Sequence, residues 1–404
     1  MDAGRLSSGR CGPTRLDVAV RILLMPSAFH PSVGGVEELT RRLASQFKAQ
    51  GHYVEIWTGR RDDEAWPAED DVDGIRVLRS TFPAPRMDVL ALITFLGRAA
   101  WEMLRLLREI RRVRPDVINV QCFSTNGIYA TALSALTGIP LVVSLHGETV
   151  MDDNRIYDHS AFLRTGLRLG LRRAAAVTAC SRFTLNDAVR FGLDPHEGEV
   201  IFNAVSLDEV EQQAVSLPFP HFVLAMGRVV DNKGFDLLLR AWALLGDELP
   251  DVGLVIGGDG PALPALRRLA EELGLTDRVV FPGRLSRSEV GWAMAAAEVF
   301  VMPSRVEPFG IVALEAWRAG TPVIVSCLGG APEFVTDGVT GLVVDPFDGK
   351  ALAASLRRLL HDPALCATLA YRGSSEVQNY GWSKAASRYD AACRRAAGGP
   401  WLRT

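Results

Sequence analysis

Residues 299–325 read VFVMPSRVEPFGIVALEAWRAGTPVIV. The apolar run Val299–Met302 gives way to a polar loop, then to a helical stretch near Gly310–Arg318, then to a second apolar run, Val323–Val325. Apolar runs without polar alternation belong to strands covered on both faces, and two of them joined through a helix predict a parallel βαβ unit. The same stretch places Glu307 and Glu315 eight residues apart, with Gly310 between them. A helix begun near Phe309 carries Glu315 on its second turn, roughly 9 Å along at 1.5 Å per residue, while Glu307 stays in the loop. One carboxylate and several amides at the helix mouth, with a second carboxylate further down, offer acceptors for hydroxyls and donors for phosphate. Two solvated glutamates on a surface helix would read the same in isolation.

The alternation extends in both directions. Expected strands in the first half are Val20–Pro26, Tyr53–Thr58, Ile75–Leu78, Asp116–Gln121, Leu141–Leu145, Ala176–Ala179 and Val200–Phe202, with helices near Val36–Gln50, Val89–Val113, Gly127–Thr137, Ala161–Arg173 and Arg182–Phe191. The second half gives strands His221–Met226, Gly253–Ile256, Arg278–Phe281, Val299–Met302, Val323–Val325 and Gly341–Val344. Its helices are expected near Phe235–Leu245, Pro264–Leu273, Arg287–Ala296, Gly310–Arg318, Lys350–His361 and Ser383–Ala397. This is the pattern of α/β, doubly wound, Rossmann-like sheets. Around Leu207–Pro220 it lapses and then restarts. The chain therefore divides into a tail (1–16), an N-terminal domain (17–206), a linker (207–220), a C-terminal domain (221–379), a last helix (380–397) and a short tail (398–404). Two such domains create a cleft at the carboxyl ends of their strands, where open α/β sheets bind ligands.

Composition narrows the class. At 404 residues the chain is too long for one ordinary core, and 48% hydrophobic with 23% charged residues is globular. A net charge of −3 gives no reason to expect nucleic acid. The cysteines Cys11, Cys122, Cys180, Cys327, Cys366 and Cys393 form no CxxC pair and no metal spacing, so they read as small apolar residues in a reducing compartment. Residues 1–16 lack the apolar core of a signal peptide, and no apolar run reaches the ~18 residues of a membrane span. A cytoplasmic protein is expected.

Chemistry-bearing residues cluster at expected strand ends. Strand His221–Met226 runs into Gly227-Arg228-Val-Val-Asp-Asn-Lys233-Gly234. Arginine forks two oxygens and lysine supplies a point charge, which together suit a diphosphate; a solvated basic turn is the plain alternative. Gly34-Gly35 between a strand and a helix permits a turn that bares amides, although it falls short of a full dinucleotide fingerprint. Leu145-His146-Gly147-Glu148 ends another strand, placing a histidine where a sugar hydroxyl would sit; a buried structural histidine is equally consistent. Glu148, Asp152 and Asp153 either face an acceptor or are solvated. Val279–Leu285, with Phe281, Gly283 and Arg284, offers backbone to a nucleobase edge, and Gly329-Gly330 offers either phosphate-binding amides or a simple turn.

Together these elements resemble the retaining glycosyltransferases of family four, which have the GT-B fold. The resemblance rests on Gly34-Gly35, Leu145-His146-Gly147, Phe202-Asn203-Ala-Val, Gly227-Arg228…Lys233-Gly234, Val279–Gly283, Glu307-x7-Glu315, Gly329-Gly330-x-Pro-Glu333 and Gly341-Leu-x-x-Asp345-Pro346, in order from about Arg21 to Asp390. It implies that Arg228 and Lys233 hold the donor pyrophosphate, with Gly227 and Asn203 in the same donor site. Glu315 would accept the ribose hydroxyls. Glu307, with the amides of Phe309 and Gly310, would grip the transferred sugar, and Ile311 would belong to the same donor site. His146 would contact that sugar from the other domain, Gly35 would approach phosphate or acceptor, and the last helix would cross back onto the first domain. It further implies a hexosyltransferase that retains anomeric configuration by front-face substitution. No essential metal or cofactor is expected, Arg228 and Lys233 serving instead. The pair Arg305-Val306 departs from the family pattern, where a small or polar pair is common, and leaves the donor sugar open.

Two stretches suggest a partner. Arg98, Arg105, Arg108 and Arg112 recur at helical spacing with Trp101, Leu104 and Leu107, and Arg164, Arg168, Arg172 and Arg173 follow in Leu163–Arg173. Such helices dock on anionic membrane carrying a lipid-linked acceptor, or are core-facing helices with a solvated basic face. A sugar-nucleotide 2-epimerase and a non-catalytic nucleotide-sugar binder share the two-domain shape. The Glu-x7-Glu spacing favours transfer over the first, and the presence of Arg228, Lys233 and Glu307 argues against the second.

Overall fold

The computed structural model describes residues 19–32, 34–60, 66–85, 89–151, 156–208, 210–246 and 248–398, without the side chains of 89–92. The first sheet contains β1 (Arg21–Pro26), β2 (Tyr53–Gly59), β3 (Glu69–Val72), β4 (Ile75–Ser80), β5 (Val117–Gln121), β6 (Leu141–Leu145), β7 (Ala176–Ala179) and β8 (Gly198–Val200). Their spatial order is β3-β4-β2-β1-β5-β6-β7-β8. The second sheet contains β9 (His221–Met226), β10 (Val252–Gly257), β11 (Val279–Gly283), β12 (Val299–Met302), β13 (Val323–Ser326) and β14 (Leu342–Val344), in the order β11-β10-β9-β12-β13-β14. Every described pairing is parallel except β3 with β4.

Burial explains the strand composition. Ile22, Leu23, Leu24 and Met25 of β1 are fully buried, because helices cover both faces of the sheet. In each sheet the strand order reverses beside the first strand of that domain, which puts one switch point at β1 and the other at β9.

Three of the differences from expectation have a clear physical reason. Strand β3 was not anticipated: its sequence, EDDV, carries three carboxylates. It forms an antiparallel edge with an alternating exposure pattern, and edge strands tolerate charge that central strands exclude. Strand β8 ends at Val200, two residues before the expected Phe202. The Phe202 ring instead lies 5.6 Å from Phe309 and 5.9 Å from Tyr380, drawn into the second domain's aromatic cluster. Helix Pro363–Glu376 was also missed. Asp362-Pro363 reads as the end of a helix, yet here Asp362 caps the next one by accepting the Leu365 amide at 2.9 Å.

The chain crosses between the domains twice. Residues 201–220 connect the sheets, and the last helix, Trp382–Gly398, returns from the second domain to pack on the first. Its Ala386, Tyr389, Cys393 and Ala396 are buried with Ile22, Leu24, Phe47 and Val142. The two crossings touch at a parallel bridge between Val205 and Gly381, where the Val205 amide donates to Tyr380 at 2.9 Å.

Candidate active site

The cationic loop follows β9 directly. Gly227 leaves the strand, the chain tightens into a turn at Asp231–Lys233, and helix Phe235–Ala243 begins behind it. The loop lies on a second glycine run at the end of β10, Gly257-Gly258-Asp259-Gly260. A methyl group on Gly258, whose φ is +128°, would stand 1.9 Å from the Gly227 carbonyl oxygen. This run is missing from the expected site, although a glycine-rich turn at a strand's carboxyl end is the signal that marks it. Arg228 is exposed at the start of the loop, and Lys233 is partly buried at its end.

The acidic loop after β12 comes to meet it. Glu307 is buried, and its Oε2 accepts the Lys233 ammonium at 2.6 Å and the Ser304 hydroxyl at 3.3 Å. The opposed charges predicted from separate stretches are thus in contact. Arg305 forks the Asp236 carboxylate with two bonds of 2.7 Å and donates to the Asp231 carbonyl at 2.7 Å. The departure at Arg305 therefore braces the acidic loop against the cationic one. Gly329-Gly330 does similar work: the Gly330 amide donates to the Glu307 carbonyl at 2.8 Å. That amide is committed to the loop and is not presented to a phosphate.

Helix Ile311–Ala319 starts from Gly310 in the left-handed conformation (φ +99°), with no side chain capping its amides. The Phe309 ring is buried 4.8 Å from Phe334, so the role expected of Phe309 falls to its backbone. Glu315, one turn into the helix, is half-buried, and no described residue hydrogen-bonds its carboxylate. Burial pushes its pKa up, while Arg318 and then Arg287 pull it down.

The first domain closes on this loop. His146 follows β6, and its successor Gly147 (φ +90°) abuts Pro308: a methyl group there would stand 2.1 Å from the proline Cγ. The histidine is thereby brought beside the segment carrying Glu307. Burial lowers its pKa to about 4, so the ring is neutral near neutral pH. Glu148 accepts the Phe123 amide at 2.6 Å and the His146 amide at 2.7 Å, tying two strand ends together. Both of its oxygens are engaged by backbone, a structural duty the sequence did not indicate. Asp152 and Asp153 lie outside the described residues.

Residues 33–209 match the family model for Glycosyltransferase Family 4, and residues 209–376 match that for glycosyl transferases group 1. The chain belongs to glycosyltransferase family 4. The GDP-mannose-dependent alpha-(1-6)-phosphatidylinositol monomannoside mannosyltransferase of Mycolicibacterium smegmatis is 40% identical over 174 residues, 41% of this chain and 46% of that enzyme. The alignment thus spans less than half the length of that relative. D-inositol 3-phosphate glycosyltransferase 1 of Catenulispora acidiphila is 29% identical over 388 residues, 90% of this chain and 91% of that enzyme. The fold is also that of Anabaena HepE in complex with UDP-glucose, with a TM-score of 0.72, 21% identity and coverage of 92% of this chain and 98% of that one. The two facing Rossmann-like domains are the GT-B architecture.

Other residues expected in the glycosyltransferase's donor site are placed less directly. Gly34 and Gly35 open helix Gly35–Ala49, but Glu37 and Glu38 occupy its first turn and already answer the helix dipole. Glu38 reaches Arg287 of the second domain at 3.7 Å, an ion pair between exposed side chains. The Phe281 carbonyl accepts from Arg267 at 3.3 Å and the Gly283 carbonyl from the Gly258 amide at 2.8 Å, so each already serves the protein. Arg284 is exposed. Asn203, on the segment that connects the sheets, is buried, and its Oδ1 has no hydrogen-bond partner among the described residues.

Proposed function

We propose that this glycosyltransferase moves a hexose from a nucleoside-diphosphate sugar to a hydroxyl acceptor with retention of anomeric configuration, and that it requires no metal. The observation that carries this reading is the 2.6 Å contact of Lys233 with Glu307, made where Gly147 of the first domain meets Pro308. A leaving diphosphate needs cations, and the sugar needs acceptors within a few ångströms of them. Arg228 and Lys233 stabilise charge growing on the diphosphate, Glu307 and the amides at Gly310 hold the sugar, and Glu315 takes the ribose hydroxyls. In this reading the C1–oxygen bond breaks with its electrons passing to the diphosphate. The acceptor oxygen bonds to C1 from the same face and gives its proton to the departing phosphate.

The relatives frame the donor, one being named for GDP-mannose and one structure holding UDP-glucose. A thermal-shift panel of UDP- and GDP-sugars identifies the donor, because a ligand of the native state raises its melting point. Anomeric analysis of the product by NMR then tests the stereochemistry, and an inverted product refutes the reading.

For the acceptor we favour a lipid-linked hydroxyl at an anionic membrane. Ile93, Leu96, Trp101 and Leu104 of helix Val89–Val113 are 64%, 60%, 63% and 56% exposed, while Leu106, Ile110 and Val113 face the core. The outward face continues into the exposed Arg108 and Arg111. Two arginines counted toward the basic face are otherwise engaged: Arg105 pairs with buried Glu102 at 3.0 Å, and Arg112 with Glu55 at 2.7 Å. Apolar side chains at the headgroup level with arginines beside them suit an interfacial helix. No described helix is long and apolar enough to cross a membrane.

A further inference from the structure

We propose that Gln121 is a positioning residue that holds His146 as its Nε2–H tautomer, so that the ring meets a substrate hydroxyl with Nδ1 as hydrogen-bond acceptor. Asn119, Gln121, Ser144 and Thr178 sit on three neighbouring parallel strands, β5, β6 and β7, and all four are fully buried. Strands covered on both faces are ordinarily aliphatic. A polar ladder there is tolerated only when each group is satisfied, and then it fixes orientation.

The ladder can be read donor by donor. The Asn119 Nδ2 donates to the Val142 carbonyl at 3.4 Å and to the Ser144 hydroxyl at 2.9 Å. Because a carbonyl only accepts, the Asn119 amide orientation is set and its Oδ1 faces Gln121. The Gln121 Nε2 donates to that oxygen at 2.5 Å, which turns the Gln121 Oε1 toward His146. The His146 Nε2 lies 2.7 Å from it and must therefore carry the proton. Thr178 secures the far end by donating to the Ser144 hydroxyl at 2.8 Å. The ring is neutral, so Nδ1 keeps its lone pair, and among the described residues it has no protein partner and is not sealed from solvent.

This deepens the proposed transfer reaction and rests on it for its functional meaning, but the tautomer is measured on the resting protein and can fail separately. In ¹⁵N-histidine-labelled protein, long-range ¹H–¹⁵N correlation distinguishes the two tautomers, and a His146→Gln variant assigns the signal among the seven histidines. The expected wild-type spectrum shows Nε2–H. A dominant Nδ1–H form or an imidazolium at neutral pH overturns the proposal. Gln121→Met, close in shape but unable to accept the proton, is expected to mix the tautomers and lower kcat/KM about fivefold to tenfold, the worth of one hydrogen bond. An unchanged Nε2–H signal in that variant removes the role assigned to Gln121. Should the variant not fold, the wild-type spectrum still decides the tautomer.

Discussion

The carboxylate of Glu333 accepts the backbone amide of Arg182 at 2.7 Å and that of Phe183 at 2.8 Å, so a side chain of the second domain caps a helix of the first. Within the first domain, Ser181 caps the same helix by accepting the Thr184 amide at 3.1 Å. The first-turn donors of helix Arg182–Ala188 are thus shared between the domains. Glu333→Ala should cost about 1 kcal/mol, the usual worth of such a cap, and loosen the closed arrangement. Calorimetry and small-angle scattering check this: a lower melting point with a larger radius of gyration is expected, and an unchanged radius means the cap does not govern closure.

Gly147 faces Pro308 across the cleft with no room for a side chain. Gly147→Val should hold the domains apart and cut turnover by about 10²-fold, the scale of a misplacement of ~1 Å, while circular dichroism stays native. Full activity in this variant would mean that the contact is not made during catalysis.

Lys233→Ala removes the cation assigned to the leaving diphosphate and leaves Glu307 without its 2.6 Å partner. A loss of about 10²–10³ in kcat is expected. Turnover of the wild type should survive treatment with EDTA, and loss of activity restored by a divalent ion would assign that charge to a metal instead.

Burial raises the pKa of Glu315, with Arg318 opposing. A carboxyl whose folded pKa exceeds its unfolded value loses stability as pH rises through the interval between the two. Below both values this destabilisation is absent. Ligand hydroxyls donate to the ionised form, so nucleotide affinity should fall on acidification, beginning above the ordinary carboxylate range. Calorimetric titration with UDP and GDP measures the slope, and Glu315→Gln should flatten it.

The outward face of helix Val89–Val113 should bring the protein down with vesicles containing anionic lipid and not with neutral ones. Trp101→Glu with Leu104→Glu, and separately Arg108→Glu with Arg111→Glu, should release it while leaving the fold intact. Binding indifferent to both pairs, or to lipid charge, would dismiss the membrane as partner.

Legibility in the sequence followed burial. Runs such as VFVM at β12 and LVVSL at β6 could be placed because both faces of those strands are covered. Strand β3 could not, since an exposed edge imposes no apolar pattern on EDDV. Within the candidate site, the convergence of Lys233 and Glu307 was readable from charge and glycine spacing around two strand ends. The duties of Arg305, Glu148 and Glu333 were not, because each depends on a partner far away in the chain or across the cleft. Gln121 and Asn119 fall within an expected strand, and two amides within an apolar run are the mark that sets them apart.

The Val205–Gly381 bridge fastens the outgoing and returning segments at one point. Two bodies pinned together at one place can turn about the pin, but near it they cannot slide past one another. Paired spectroscopic labels set close to the pin should therefore keep their spacing, while pairs set far from it are free to change theirs.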